Sequence, residues 1–429
     1  MSNFRGSCQT RFRYYGSGQE AIQLYKKAEA TPAGNQLSIT GYGEGAGNWY
    51  LVASPVSTTP VAAGMITDDG TDLENLSYDL YSFNQAQDLE WRNYRDQAFN
   101  LVPGTGYLYA NKNNVTLTFA GEAYTGDGIV PLTYENGKDF AGWNLIGNPF
   151  AVEATLDHDF YALNNDGSGL GDLIASTTGT VNAMQGVFVL AQYNEETGEA
   201  EESVIFSTEN NAKAVEQVVM NVTRNRGTAI DRAIVRFDEG QQLPKFQLNP
   251  ESTKLYIAQG NKDYAIVRSA AQGEMPVSFR AAENGTYTLS IETENVEMDY
   301  LHLIDNMTGM DVDLLPLCKG GRGDSNNPQT ASYTFEAKTT DYASRFRLVF
   351  SANGIDEQNA ETFAYFNGSE WMISNLGEAT LQVVDVMGRV LSTETISGNA
   401  ELNLNQPAGV YMLRLINGND VKVQKVVVR

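Results

Sequence analysis

Leu381-Gln382-Val383-Val384-Asp385-Val386, followed by Met387-Gly388-Arg389 and then Val390-Leu391, decides how the last part of this chain folds. The first six residues are a short run rich in β-branched side chains, the next three supply a turn, and the pair after it starts a returning strand, so the stretch reads as a β-hairpin. Outward from it, Leu402 and Leu404 alternate with Glu401, Asn403 and Asn405, which turns one face of that segment toward a core. Pro407-Ala408-Gly409 ends the run before a strand from Val410 to Ile416. Asn417-Gly418-Asn419 tolerates positive φ and predicts a tight hairpin into a last strand, Val421 to Val428. In that strand the apolar positions change phase between Val423 and Val426, across Gln424-Lys425, which predicts a β-bulge there. Residues 355–429 thus form a self-contained all-β module.

Val384-Asp385-Val386-Met387-Gly388-Arg389, followed by Gly409-Val410-Tyr411 and a basic, Val-rich end closing on Val427-Val428-Arg429, resembles the C-terminal sorting domain of the type IX secretion system of Bacteroidetes. On that resemblance the module is a small Ig-like β-sandwich. Asp385, Gly388 and Arg389 fall on an Asp-x-x-Gly-Arg hairpin, Gly409 and Tyr411 on a Gly-x-Tyr strand, and Lys422, Lys425 and Arg429 on a basic tail. Val384 stands where the family often has an aromatic residue, and Arg429 where Lys is common. The resemblance implies export across the outer membrane by the type IX machinery, followed by removal of the tail and attachment to surface lipopolysaccharide or release.

The composition suits an extracellular protein, whereas the N-terminus conflicts with an export tail. Twenty-nine basic against 53 acidic residues give a formal charge of −24, which argues against a nucleic-acid partner and for a well-solvated surface. Forty Gly and 22 Tyr, with no long helical pattern, point to an all-β chain with many tight turns. No run of eighteen apolar residues occurs. Met1-Ser2-Asn3-Phe4-Arg5-Gly6 lacks the apolar segment of a secretory leader, so residues 1–30 are expected to be the remnant of a preceding domain or a linker, with Ser17 to Ala30 compatible with a short helix.

An internal repeat organises residues 31–210. Trp49-Tyr50-Leu51-Val52-Ala53-Ser54-Pro55 matches Trp143-Asn144-Leu145-Ile146-Gly147-Asn148-Pro149. Asp79-Leu80-Tyr81 matches Asp159-Phe160-Tyr161, and Gly106-Tyr107-Leu108-Tyr109-Ala110 matches Gly186-Val187-Phe188-Val189-Leu190. About four strands per unit are expected, with the two units pairing apolar faces as one two-sheet domain. In residues 213–352, Tyr287, Leu289 and Ile291 alternate with polar residues, as do Phe346, Leu348 and Phe350 with Arg345 and Arg347, which predicts a second β-sandwich.

Candidate chemistry is sparse. His158 and His302 are the two histidines, and neither lies near a Ser or Cys nucleophile motif. Asp157-His158-Asp159 is a candidate metal cluster, yet Asp159 begins a repeat strand and a structural role is favoured. Asn164 to Gly169 and Thr67 to Asp72 offer oxygen ligands for calcium but fit no twelve-residue loop with a closing Glu, so solvated turns are expected. Arg322-Gly323-Asp324 in a Gly- and Asn-rich insertion is an integrin-type tripeptide of the kind that arises by chance. Cys8 and Cys318 have no metal-ligand spacing, and a disulfide between them stays open. Trp91, beside Arg92 and Tyr94, has no counterpart in the second unit; Trp91 and Tyr94 are candidate contacts for a sugar ring or protein partner, against the plainer reading of hairpin packing. No catalytic residue, metal or cofactor is assigned. The expected function is the non-catalytic C-terminal portion of a secreted, surface-attached protein with tandem β-domains for display or binding, toward a glycan or host protein. Alternatives are an accessory region of a secreted hydrolase such as a peptidase, and a carbohydrate-binding adhesin.

Overall fold

Trp49–Ala53 and Trp143–Gly147 begin equivalent sheets, and their surroundings define the first half of the molecule. A computed structural model of the chain describes residues 36–41, 49–57, 59–60, 65–66, 78–119, 121–164, 172–177, 179–194, 197–209, 215–224, 228–259, 262–269, 274–296, 300–314, 330–350, 363–366, 371–373, 375, 378–385, 389–398, 400–403, 406–407, 409–417 and 420–428. Among these residues there are strands and turns and no helix, so the chain is all-β. Cys8, Cys318, the 17–30 segment, the 67–72 turn, most of the 164–169 turn and Arg322-Gly323-Asp324 lie outside the described residues.

Each repeat unit supplies two sheets, so the expectation of about four strands per unit undercounted it. In the first unit one sheet runs Trp49–Ala53, Gly106–Asn111, Tyr78–Phe83, Trp91–Asn93; in the second, Trp143–Gly147, Gly186–Leu190, Phe160–Leu163, Leu173–Ser176, in the same order. The registers agree as well: Trp49 pairs with Ala110 and Ala53 with Gly106, as Trp143 pairs with Leu190 and Gly147 with Gly186. A second sheet closes each unit, built on Val115–Phe119 in the first and Ser203–Ser207 in the second. Between the two sheets lies a core of that unit's own: Leu80, Leu101, Tyr109, Leu117 and Phe119 in one, Leu156, Phe160, Val187, Val204 and Phe206 in the other.

Strands Trp49–Ala53 and Gly106–Asn111 are buried on both faces, because the side chains that point away from their own unit's core meet the other unit. The contact is pseudo-twofold. Ala53 N–H donates to Met184 O at 2.9 Å, and the equivalent Gly147 N–H donates to Gly104 O at 3.0 Å. Val52 bridges Gln185, as Ile146 bridges Thr105. Met184 and Gly104 both have positive φ, 58° and 82°, so the same turn is built once with glycine and once with methionine. Close approach sets the residue choice: a Cβ on Gly147 would sit 2.2 Å from Ala53 Cβ, and one on Gly106 would sit 2.5 Å from Ile146 O. This is the isologous geometry of a symmetric dimer, formed within one chain.

Residues 217–349 form one long sheet that wraps around a single core. Its order is Met310–Asp313, His302–Asp305, Phe346–Val349, Glu274–Arg280, Lys254–Gln259, Lys262–Arg268, Ala229–Arg236, Gln217–Arg224, Gly285–Glu294, Thr330–Ala337, antiparallel except where Ala229–Arg236 runs parallel to Lys262–Arg268. The wrap brings Phe335 of the last strand against Phe346 at 5.0 Å and Phe279 at 5.2 Å between ring centroids. Arg345 seals that seam: it is buried with Asp305 at 2.9 Å, and its guanidinium lies 4.3 Å from the centroid of Phe335.

The second repeat unit and this sandwich share apolar packing. Trp143 stacks on Phe246 at 4.3 Å, with Tyr161 and Phe188 edge-on to the same ring. Polar groups at the joint are matched. Tyr161 Oη donates to Pro244 O at 2.8 Å, and Asp159 accepts from Arg236 at 2.7 Å and Arg268 at 2.9 Å. Buried Asp231 holds Lys245 at 2.5 and 2.6 Å and also accepts from Leu255 N–H. Burial raises the Asp231 carboxyl and lowers the Lys245 ammonium, and each limits the other's shift.

Candidate functional site

The tail is a two-layer sandwich around Trp371, Leu381, Val383, Leu402, Leu413, Leu415 and Val426. One layer runs Val390–Ser397, Glu378–Asp385, Gly409–Asn417, Asp420–Val428; the other runs Ala364–Phe366, Trp371–Ile373, Ala400–Leu402. The hairpin read from Leu381 to Leu391 is present, with a register shift between Val383 and Val384. The bulge expected in the last strand is absent: Gly409–Asn417 and Asp420–Val428 pair without interruption from Gly409↔Val428 to Asn417↔Asp420. The phase change has another origin. Gln424 shares its face with buried Val426, two residues on, and its amide substitutes for an apolar side chain because it bonds to backbone across the sandwich.

Asp385 and Arg389 close the hairpin on each other. Arg389 N–H donates to Asp385 Oδ1 at 2.9 Å, Arg389 Nε donates to Asp385 Oδ2 at 2.7 Å, and Asp385 N–H returns a bond to Arg389 O. An Asp suits this place because one carboxylate oxygen caps a backbone donor and the other pairs with the side chain. The carboxylate is largely covered while the guanidinium is 75% exposed, so the cation is what the hairpin shows to solvent. Val390 and Leu391, next to it on an edge strand, are exposed as well, at 47% and 40%. Asp385 pairs with Tyr411 on the neighbouring strand, and Tyr411 Oη donates to Pro407 O at 2.8 Å.

Asp385, Arg389, Tyr411 and Gly409 therefore gather at one end of the sheet. Lys422 is exposed opposite Leu415, toward the other end, and is not part of that group. A Cβ on Gly409 would rest 3.5 Å from the Tyr411 ring, an ordinary contact, so packing here makes no steric demand for glycine. Gly388, the side chain of Lys425 and Arg429 lie outside the described residues.

The other candidates are placed in packing. Trp91 edges onto Phe83 at 5.1 Å and onto Phe188 of the other unit at 6.0 Å. Tyr94 meets Phe99 at 5.2 Å and packs against the first unit's own core. The two rings thus belong to two different clusters and form no common stacking surface, because alternate positions near this hairpin point to opposite sides of the sheet. Asp157, His158 and Asp159 do not converge either. His158 lies between Asp157 and Glu201, 2.6 Å from each, while Asp159 turns to Arg236 and Arg268. Burial alone would lower the His158 pKa; the two carboxylates outweigh it and push it up to about 9. His302 bonds Asp311 at 2.6 Å and stacks on Tyr300. Among the described residues no group of His, Cys, Asp and Glu could hold a metal ion.

Sequence reasoning missed Asp172. Burial drives its carboxyl up to about 7, partly offset by backbone donors from Asn249 and Leu248. It accepts from Asn249 N–H across the joint between repeat and sandwich. Nothing in the local pattern announces it, since its burial comes from a partner segment 77 positions away.

Residues 367–429 match the family described as "Secretion system C-terminal sorting domain". The chain thus carries a type IX sorting tail, and the protein is secreted and attached to the cell surface. No curated protein matches. A solved structure described as "Biofilm associated protein - BSP domain" aligns at 11% identity with a TM-score of 0.17, over 92% of this chain and 63% of that one. The chain thus spans under two thirds of that chain's length.

Proposed function

We propose that this chain is the non-catalytic C-terminal portion of its surface protein, with residues 31–352 serving display or binding and the tail serving export. The observation that carries the reading is the joint between repeat and sandwich. The Trp143–Phe246 stack, the Asp159 pairing with Arg236 and Arg268, and the Asp172 bond from Asn249 N–H all hold the repeat to the sandwich. Such a joint suits a stiff carrier better than a cleft that opens for substrate. The groups with strongly shifted pKa values fit the same reading, since His158 and Asp172 sit in structural contacts. Attachment to surface lipopolysaccharide after tail removal is the mode of display, with a glycan or host protein as the bound partner.

The test is calorimetry together with an activity screen on the purified chain. Residues 36–350 are expected to unfold in one transition, with no turnover of peptide or glycan substrates. Hydrolysis abolished by a point substitution would overturn the reading, and so would independent melting of repeat and sandwich.

A further inference from the structure

We infer that Gln424 is a positioning residue of the sorting tail, tying the strand through which the chain enters the module to the strand on which the module ends. Its Oε1 accepts from Phe363 N–H and from Ala364 N–H, each at 2.7 Å, and its Nε2 donates to Ala364 O at 2.6 Å. One side-chain amide thereby satisfies three backbone groups of another strand, which is the work a paired strand does elsewhere in a sheet. Phe363 and Ala364 are buried in the tail core, at the start of the strand Ala364–Phe366 of the three-stranded layer; Gln424 belongs to the four-stranded layer. Gln424 thus links the two layers at the first described strand of the tail.

The register gives the link its consequence. Gln424 pairs with Leu413 and Val426 with Tyr411, so the clamp is two positions from the Tyr411 that neighbours Asp385. The end of the sheet displaying Arg389 is consequently referenced to the incoming chain by the last strand. The tail presents its signal in a fixed relation to the cargo only when that strand is in place. None of the motif residues of the sorting resemblance supplies this bond set.

Gln424→Leu and Gln424→Glu in the full chain, carried behind a secretory signal peptide, separate positioning from bulk stability. Leucine keeps the volume and removes all three bonds. Glutamate keeps both acceptor bonds and loses the donor to Ala364 O. In Gln424→Leu, amide hydrogen exchange at Phe363 and Ala364 is expected to speed up by about ten- to a hundredfold, as for the loss of one or two buried hydrogen bonds, while Leu381 and Leu413 stay protected. Surface delivery in a host with the type IX machinery is expected to be lost, and Gln424→Glu to restore part of both the protection and the delivery. Delivery at the wild-type level in Gln424→Leu overturns the inference. So does simultaneous loss of protection at Leu381 and Leu413, which would make Gln424 a general contributor to tail stability.

Discussion

Trp49 and Trp143 occupy equivalent places to a close tolerance: each meets the tyrosine of its own unit, Tyr81 at 5.9 Å and 56°, Tyr161 at 5.8 Å and 58°. Both are buried in the shared cluster between units, so Trp49→Ala and Trp143→Ala are each expected to cost roughly 3–5 kcal/mol in chemical denaturation. A neutral result at either would remove it from the core. His158 and Asp172 give the protein two separate reasons to lose stability with rising pH. His158 has its folded pKa raised from 6.5 to about 9, so its contribution is complete below about 6.5 and fades as pH rises through 9. Asp172 has its folded pKa raised from 3.8 to about 7, so burial of its neutral form helps below about 3.8 and that advantage is gone above 7. Urea midpoints measured from pH 4 to 10 should show His158→Gln flattening the decline between 6.5 and 9 relative to wild type. Asp172→Asn should flatten the decline between 4 and 7.

Among elements, Trp49–Ala53 and Trp143–Gly147 approach closely enough that a Cβ on Gly147 would sit 2.2 Å from Ala53 Cβ. Gly147→Val must displace Ala53, and it is expected to destabilise by about 1–3 kcal/mol through overpacking, read as a lowered thermal midpoint. A β-branched residue tolerated there would show that the sheets can slide apart. In the tail, Asp385→Ala removes both carboxylate bonds to Arg389, whose guanidinium is mostly in solvent, and should cost about 1 kcal/mol. Surface delivery should fall further than that small loss explains if the hairpin's shape is what the export machine reads. Strands such as Gly285–Glu294 were legible because one face is buried and the other wet, giving strict alternation. Trp49–Ala53 alternates with nothing, being covered on both faces, and was recognised through the repeat instead.

For the whole molecule, the tail core shares no residue with the sandwich core, so removing residues 355–429 should leave the upstream melting profile unchanged while abolishing surface delivery. A truncated chain that still reached the surface would end the sorting assignment. By itself the sequence determined the all-β class, the duplication and the type IX tail, because strand alternation, paired tryptophans and the Asp-x-x-Gly-Arg hairpin are local patterns carried by neighbouring residues. Only the tertiary structure decided that each repeat is its own sandwich, that the two face each other about a pseudo-twofold, and that Trp91 and Tyr94 part company. It alone showed Gln424 to be a clamp where the pattern suggested a bulge. The reason is physical: a lone polar residue in an apolar phase has the same appearance whether the backbone bulges or a distant strand supplies its hydrogen-bond partners, and that partner lies 60 residues earlier in the chain.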